Sequence, residues 1–358
     1  MFKPDLPAQW LQQELNAFTL EQPTAATVVV LDENTSDIHT ATESANTLFI
    51  SNRFDVHQRL HARGINTCFS DFDTRGNTPS SVDALFYRLS KEKPVVHHII
   101  NSAQRLLKTG GQLYLTGLKS EGAKNFLEKA AAQLGSTKVT RKQGAIYTVV
   151  ISKAQGVLPA PLDDQDYHQL RPISSAPEFE FVSKPGLFGW QKIDAGSRFL
   201  IDSLQALQLP TPAHMLDLGC GYGYLTVRAC RELFTKAPDR LTLTDNNAGA
   251  LIAALANLKH HELNGQVIAA DVGDSIDAPA DFILCNPPFH QGFSVSGDLT
   301  DKFLQATKRL LAPQGQAFFV VNSFIGLEQK AEELFGQVNI LANNRQFKVV
   351  ALRKNKKS

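Results

Sequence analysis

The sequence lacks the features that mark membrane proteins, secreted disulfide-linked proteins and strongly basic nucleic-acid binders. None of its apolar runs approaches the roughly 20 residues that a helix needs to span a bilayer. It holds only four cysteines, which form no CxxC pair and have no histidine at metal-ligand spacing, so neither a disulfide framework nor a zinc site is expected. The 36 Lys and Arg residues nearly balance the 35 Asp and Glu residues, which leaves no overall charge to attract nucleic acid.

The composition is that of an ordinary globular protein, with 43% hydrophobic and 20% charged residues. A chain of 358 residues is too long for one typical domain and about right for two. The N-terminus does not have a basic segment followed by an apolar one, as a secretion signal would. We therefore expect a cytoplasmic, monomeric protein of two domains that holds no metal and contacts no membrane.

Apolar runs of strand length alternate with amphipathic helical stretches along the whole chain. This alternation is typical of α/β proteins with a mostly parallel sheet. The predicted strands of the first half are residues 27–32, 47–50, 83–87 and 111–115, and those of the second half are residues 214–218, 241–244, 266–270, 281–285 and 316–321.

Parts of the second half repeat the first half. Residues 101–117 match residues 305–321 at a constant offset of 204 positions, which predicts a diverged duplication of one fold. Two shorter matches pair Leu31-Asp32 with Leu216-Asp217 and Ser70-Asp71 with Ala270-Asp271.

A linker separates the two halves. Residues 155–186 contain five prolines and show little periodicity, as connecting segments do. We therefore predict one domain at residues 1–155, a linker at residues 156–183 and a second domain at residues 184–358.

A glycine-rich turn follows a predicted buried strand in the second half. The turn contains Gly219, Gly221 and Gly223, and a predicted helix begins at Tyr224. Glycines at alternate positions let the backbone take positive φ and approach a ligand closely. A strand–turn–helix of this kind also offers backbone N–H groups at the carboxyl edge of a sheet. By itself, the turn would suit NAD, FAD or no ligand.

Three aspartates narrow the choice of ligand. Asp217 precedes the first glycine, where its charge would repel a pyrophosphate. Asp245 ends the next strand, where a ribose diol is usually held, and Asp271 ends the strand after that, where it can accept from an adenine amine. Each aspartate alone would more often be a helix N-cap. Together with the glycine turn they predict binding of S-adenosylmethionine, with Asn246 and Val272 as neighbouring contacts.

The fourth strand of the second half runs into Asn286-Pro287-Pro288-Phe289, which points to the substrate. Two prolines fix φ and remove two backbone donors, so the turn presents acceptors, among them the Asn286 amide oxygen. Such acceptors suit a planar NH2 group, whose lone pair they would expose to the methyl donor, and Phe289 can stack on a base. We expect His290, next in the chain, to be structural or substrate-facing rather than catalytic.

At these residues the sequence resembles the class I methyltransferases, and the Asn-Pro-Pro-Phe form resembles enzymes that methylate an amino nitrogen. Residues 184–188 and 194–200 also resemble the segment before the first strand in bacterial ribosomal RNA guanine-N2 methyltransferases, of the small-subunit (RsmC) and large-subunit (RlmG) types. That family pairs a degenerate N-terminal copy of its fold with a catalytic C-terminal copy. The resemblance implies two tandem Rossmann-like class I methyltransferase domains.

The resemblance also implies a role for each motif residue. Asn286, Pro287, Pro288 and Phe289 would form the target-base site. Phe188 and Asp194 match the segment that covers the cofactor. The cofactor itself would be held by Asp217, Gly219, Gly221, Gly223, Asp245, Asn246, Asp271 and Val272.

The first half lacks the residues of these motifs. Residues 33–36 stand in place of the glycine turn, Ser51 stands where Asp245 would be, and residues 88–90 (Arg-Leu-Ser) replace Asn-Pro-Pro. We predict that the first copy binds no cofactor and that it helps to recognise RNA or shields the catalytic half.

The implied substrate is a guanine N2 amine in ribosomal RNA. Residues 91–94 favour 16S RNA of the small subunit, whereas residues 284–291 are closer to enzymes acting on 23S RNA of the large subunit. The same Asn-Pro-Pro-Phe turn would also suit adenine N6 or a protein glutamine, and the fold would also suit a non-catalytic ribosome-binding module or a nicotinamide-dependent oxidoreductase. RNA contact is expected from a basic C-terminal run, unless that run is only a solvated tail: Arg345, Lys348, Arg353, Lys354, Lys356 and Lys357.

Overall fold

The computed structural model describes residues 5–34, 45–135, 138–173, 180–288, 290–291, 294–295 and 297–354. The chain forms two compact units, Met1–Gln169 and Leu170–Ser358. In the described ranges, no helix combines the length and the apolar character needed to cross a membrane. Over the same ranges, no group of three or more His, Cys, Asp or Glu side chains is arranged to hold a metal ion.

The first unit is a seven-stranded sheet with helices, in the strand order β3-β2-β1-β4-β5-β7-β6. The pairs among β1 to β5 are parallel, and β7 is antiparallel to both of its neighbours. Its elements are α1 (Leu6–Glu21), β1 (Thr27–Leu31), β2 (Thr47–Ser51), α2 (Phe54–His61), β3 (Thr67–Phe69), β4 (Val82–Arg88), α3 (Lys93–Leu106), β5 (Leu107–Leu118), a 3-10 turn (Lys119–Glu121), α4 (Ala123–Leu134), β6 (Lys138–Gln143) and β7 (Ile146–Ser152).

The second unit has the same topology, with the strand order β12-β11-β10-β13-β16-β18-β17. Its elements are β8 (Arg171–Pro172), β9 (Val182–Ser183), α5 (Ala195–Gln205), β10 (His214–Leu218), α6 (Tyr224–Glu232), β11 (Arg240–Asp245), α7 (Ala248–His260), β12 (Gln266–Ala269), β13 (Ala280–Cys285), β14 (His290–Gln291), β15 (Ser294–Val295), α8 (Gly297–Leu310), β16 (Leu311–Asn322), α9 (Leu327–Glu332), β17 (Gln337–Asn343) and β18 (Phe347–Arg353).

The central strands are apolar because both faces of the sheet are covered. Along β10, Met215 packs into the core on one face, whereas Leu216 and Leu218 pack into the core on the other. Successive side chains of a strand point to opposite faces, so a strand buried on both sides becomes a continuous apolar run. This explains why the strand predictions followed unbroken apolar runs, and the predicted α/β fold with two Rossmann-like domains is confirmed.

The predicted repeat is visible element by element. The bounds of α3 and α8, and those of β5 and β16, all differ by 204 positions. One of the shorter sequence matches is wrong, however. The backbone N–H of Ala26 donates to Asp83 in the first unit, and that of His214 donates to Asp281 in the second. This register puts Val29, not Asp32, at the sheet position of Asp217, because a two-residue match inside an apolar run cannot set strand register.

Part of the predicted linker packs into the first unit. Leu162 and Tyr167 lie against the core of that unit, and Tyr167 is buried. Composition marked these residues as linker because prolines break periodicity, yet single anchoring side chains leave no periodic signal.

Candidate active site

The predicted site residues of the second unit lie at the carboxyl ends of four adjacent parallel strands. Asp217 lies in β10, Asp245 ends β11, Asp271 follows β12 by two residues, and Asn286 follows β13 directly. The chain goes from β10 outward to β11 and β12, then returns to β13 on the other side of β10. In open α/β sheets, such a reversal of strand order opens a crevice where ligands bind.

The glycine turn after β10 has the backbone that the sequence predicted. Gly219, Gly221 and Gly223 all have positive φ, at 81°, 54° and 86°. A Cβ on Gly221 would have no atom within 4 Å, so there is open space above this part of the turn. The backbone N–H groups of Gly219 and Cys220 both donate to Thr244 in β11, at 2.9 Å, which ties the turn to the neighbouring strand.

The carboxylate of Asp245 holds this turn in place. One of its oxygens accepts from the backbone N–H of Gly221 at 2.9 Å, and the other accepts from that of Asn247 at 2.8 Å. Each carboxylate oxygen has more than one lone pair, so both can accept a further hydrogen bond. Asp245 is thus both a brace for the turn and an acceptor suited to a ribose hydroxyl.

Asp217 is closed to solvent. Its side chain is fully buried, and one oxygen accepts from the Thr226 hydroxyl of α6 at 2.6 Å. Burial raises the pKa of Asp217 to about 7, the charge of Asp245 adds to the rise, and the bond from Thr226 opposes it. Its other oxygen has no hydrogen-bond partner among the described residues. Direct contact of Asp217 with a cofactor stays a prediction.

Asp271, Asn246 and Val272 form the far side of the site. Asp271 is ion-paired with Lys302 of α8, and the Asn246 amide lies 3.5 Å from the other oxygen of Asp271. Val272 has φ of 51°, a strained value for a β-branched residue. Backbone strain of this kind concentrates at ligand sites.

Asn286 is held by two residues of the segment that precedes β10. Its amide nitrogen donates to the Asp194 carboxylate at 2.9 Å and to the Ser197 hydroxyl at 2.8 Å. Asp194 also caps α5, since it accepts from the backbone N–H of Ser197 at 2.7 Å. A carboxylate can only accept, so it fixes which end of the amide faces it. The amide oxygen of Asn286 is therefore directed away from Asp194.

The other predicted residues frame this position. Pro287 is buried and Pro288 is exposed, whereas Phe289 lies outside the described residues. Phe188 is 79% exposed in a turn whose Gly189 lies close to the glycine turn, since an added Cβ would be 3.7 Å from the Tyr222 ring. For His290 the structure describes only the backbone, which pairs with Val295.

Comparisons with known proteins identify the family. The family model for the "Methyltransferase small domain" matches residues 178–351. "Ribosomal RNA small subunit methyltransferase C" of Pseudomonas aeruginosa (strain LESB58) is 33% identical over 294 residues, covering 80% of this chain and 83% of that protein. The protein of the same name from Erwinia tasmaniensis is 29% identical over 276 residues, 76% of each chain. The chain belongs to the ribosomal RNA small subunit methyltransferase C family.

A solved structure supports the fold of this methyltransferase C family over nearly the whole chain. The T. thermophilus 16S rRNA N2 methyltransferase (RsmC), in complex with AdoMet and guanosine, superposes with a TM-score of 0.80. It covers 98% of this chain and 92% of its own, at 24% sequence identity. The family resemblance expected from the motifs is confirmed.

Sequence reasoning missed three residues of this methyltransferase site. Ser197 and Thr226 hold Asn286 and Asp217, and Lys302 pairs with Asp271. Ser197 follows the α5 cap by three residues, a spacing at which a cap contact is expected. No comparable signal marks Thr226 or Lys302, because their partners lie on other elements.

One predicted RNA-contacting residue is not at the surface. Lys348 is only 3% exposed, and its amine is bonded to Glu328 of α9. It lies in β18, which is buried on both faces of the sheet, so its place in a basic run did not reveal its environment. Arg345 and Arg353 are exposed, Lys354 is half-buried, and the predicted contacts Lys356 and Lys357 lie outside the described residues.

The first unit carries altered residues at the same sheet positions. Arg88 takes the place of Asn286 and is buried, and it pairs with Asp5, the cap of α1, just as Asn286 binds the cap of α5. Arg88 also pairs with Glu121 at 2.7 Å. A guanidinium thus stands where the second unit has an amide.

In the same unit, Tyr167 bonds to the residue that corresponds to the predicted adenine acceptor of the second unit. Asp71 has the sheet position of Asp271, and it accepts from the Tyr167 hydroxyl at 2.8 Å. The Tyr167 ring stacks on His98, with 4.4 Å between ring centroids. An aromatic ring with a hydrogen-bond donor thus stands where the second unit is predicted to hold adenine.

Proposed function

We propose that this chain transfers a methyl group from S-adenosylmethionine to the exocyclic N2 amine of a guanine in 16S ribosomal RNA. Its relatives are named as small subunit ribosomal RNA methyltransferases, and the T. thermophilus relative carries AdoMet and guanosine. One observation carries the proposal: the Asn286 amide is fixed by its hydrogen bond to Asp194, at the same edge of the sheet as the open glycine turn.

The residues of the second unit fit the cofactor. The positive φ of the three glycines and the open space above Gly221 leave room for a ligand against the backbone. Asp245 can accept from the ribose hydroxyls and Asp271 from the adenine amine, while Phe188 and Asp194 belong to the segment over the site. When bound, S-adenosylmethionine supplies an electrophilic methyl group carried by a sulfonium.

Asn286 supplies the chemistry toward the base. Its outward-facing amide oxygen can accept a hydrogen bond from the guanine amine, with the Pro287 carbonyl as the second acceptor. Hydrogen bonds to both N–H groups favour pyramidalisation, which returns the lone pair from the ring to the nitrogen. Positioning of this kind supplies much of the rate enhancement when two reactants are held in line, so no strong base is needed here.

The first unit acts in support of this reaction and not as a second methyltransferase. Arg88 and Ser51 replace Asn286 and Asp245, and Tyr167 bonds to Asp71, the counterpart of the predicted adenine acceptor Asp271. We propose that this unit binds no cofactor and serves RNA recognition or support. We further propose that the protein works as a cytoplasmic monomer on ribosomal RNA or the small subunit.

Transfer of labelled methyl groups to unmodified 16S RNA, 23S RNA, both subunits and a protein fraction tests the proposal. We expect N2-methylguanosine in 16S RNA or the small subunit, with calorimetry giving one S-adenosylmethionine per chain. Asn286→Ala should lower kcat by about 100-fold or more, as removal of a polar contact to a reacting group does.

Asn339→Ala, which changes an exposed asparagine of β17, is the matched control and should leave kcat unchanged. Label in N6-methyladenosine, methylglutamine or 23S RNA would contradict the substrate assignment. An unchanged kcat in Asn286→Ala would contradict the assigned role of that residue.

A further inference from the structure

An exposed aromatic ring and an exposed arginine lie in two hydrogen-bonded loops just beyond the carboxyl end of β16. Phe324 follows this strand by two residues and is 85% exposed. Arg345 lies in the turn between β17 and β18. The two loops are tied to each other, since the backbone N–H of Ser323 donates to Gln346 at 2.9 Å and its hydroxyl lies 3.1 Å from the Asn343 amide oxygen.

The position of Phe324 and Arg345 in the fold matters more than their exposure. Single exposed apolar side chains are common on proteins. Here, however, β16 is the parallel neighbour of β13, with Phe319 opposite Cys285, the residue before Asn286. The carboxyl end of β16 therefore lies at the same edge of the sheet as Asn286.

A packed contact links the pair to the segment that holds Asn286. Phe347 lies opposite Asn322 at the end of β16. Its ring packs against Gly196, where an added Cβ would be 3.2 Å from the ring. Gly196 stands between Asp194 and Ser197, the two residues bonded to Asn286. The strand end that precedes Phe324 is thus joined by packing to the segment that holds Asn286.

The backbone fixes how both side chains are presented. The N–H of Ile325 donates to Asn322 at 2.9 Å, which closes a turn with Phe324 on its outer side. Arg345 has φ of 72°, and its N–H donates to the Asn343 side chain at 2.9 Å. None of the carboxylates in the described ranges forms an ion pair with Arg345. Its charge is therefore available to a ligand.

We propose that Phe324 and Arg345 form a platform for a single-stranded nucleotide next to the target base, with the ring stacked on its base and the guanidinium on a phosphate. Every base has a flat face that can stack on an aromatic ring, and arginine binds phosphate oxygens through two parallel hydrogen bonds. The platform deepens the proposed function and rests on it, because it assumes an RNA substrate.

The test compares steady-state kinetics of four full-length variants on unmodified 16S RNA or small subunits. Phe324→Ala should raise KM for RNA by roughly 5- to 150-fold, the range expected for one lost base–aromatic stack. Its kcat and its affinity for S-adenosylmethionine should stay within about twofold of wild type. Phe324→Tyr should restore KM, and Arg345→Gln should raise KM and reduce the salt slope of RNA binding by about one.

Leu255→Ala is the matched control, since Leu255 is 58% exposed on α7. Circular dichroism confirms that each variant is folded. Equal KM values for Phe324→Ala and Leu255→Ala would overturn the platform. If wild type transfers no methyl group to RNA, the proposed function fails, and direct RNA binding then decides on the platform. Loss of affinity in Phe324→Ala and Arg345→Gln, but not in Leu255→Ala, supports the platform, and equal affinities of Phe324→Ala and Leu255→Ala overturn it.

Discussion

Replacing Tyr167 by phenylalanine removes a buried hydrogen bond from the first unit. The Tyr167 ring is 2% exposed and stacks on His98, and a phenylalanine ring can keep that contact. The hydroxyl bond to Asp71 is lost. Burial raises the pKa of Tyr167 well above its usual value, and the charge of Asp71 adds to this, so the hydroxyl stays a donor at every practical pH.

The size of the effect follows from the burial of Asp71, which is 4% exposed. A hydrogen bond to a charged group contributes about 1.5–3 kcal/mol, and water cannot readily replace it at a closed site. In a unit of about 170 residues, each kcal/mol shifts the melting temperature by about 2–4 °C. Tyr167→Phe should therefore lower the melting temperature of the first unit by roughly 3–12 °C.

Scanning calorimetry of the full chain measures this shift, and hydrogen exchange of β1 and β4 shows that it arises in the first unit. Tyr147→Phe is the matched control, because Tyr147 is a half-buried tyrosine of the same unit. It should shift the melting temperature by about 1 °C or less, as a surface change does. Equal shifts in the two variants would refute the view that the Tyr167 hydroxyl bond to Asp71 stabilises the first unit.

Two further predictions concern the second unit. In Asp194→Asn the new side chain can still cap α5, but it no longer fixes the orientation of the Asn286 amide. A hydrogen bond to a charged group is stronger than a neutral one by roughly 1 kcal/mol, so kcat should fall about fivefold with KM unchanged. Asp217→Asn should become more stable relative to wild type as the pH rises from about 4 to 7, because a raised folded pKa means that wild type loses stability over that window. Denaturation at several pH values should show a difference that grows to about 4 kcal/mol; a constant difference would contradict the raised pKa.

The sequence predicted those parts of the molecule that depend on neighbours along the chain. The glycine turn, the strand-end aspartates and the Asn-Pro-Pro turn are local patterns, and each has the predicted place at the carboxyl edge of the sheet. Contacts between distant residues escaped prediction. Asn286 and Asp194 are 92 positions apart, and nothing in either segment signals the other.

Strand register and the environment of single side chains could not be predicted from the sequence for a related reason. Lys348 belongs to a basic run in the sequence, yet in the folded chain it is buried and ion-paired with Glu328. Tyr167 reads as linker, yet one hydroxyl bond and one stacking contact anchor it in the first unit. In both cases a single tertiary contact outweighs the local composition, and only the folded chain reveals it.

The two units share one hydrogen-bonded arrangement but carry different residues in it. In each, an aspartate that caps a helix bonds a residue at the carboxyl end of the fourth strand of the sheet: Asp194 bonds Asn286, and Asp5 bonds Arg88. Asparagine uses its nitrogen for this bond and still has an oxygen that can accept, whereas arginine has only donors. Arg88 directs them to Asp5, Glu121 and the Leu89 carbonyl, all within the unit. A guanidinium at this position is therefore an internal brace, where the amide of Asn286 is the proposed acceptor for substrate. Arg88→Asn alone would take the guanidinium away from Glu121, which among the described residues would keep only the Leu118 N–H, and would not create a site.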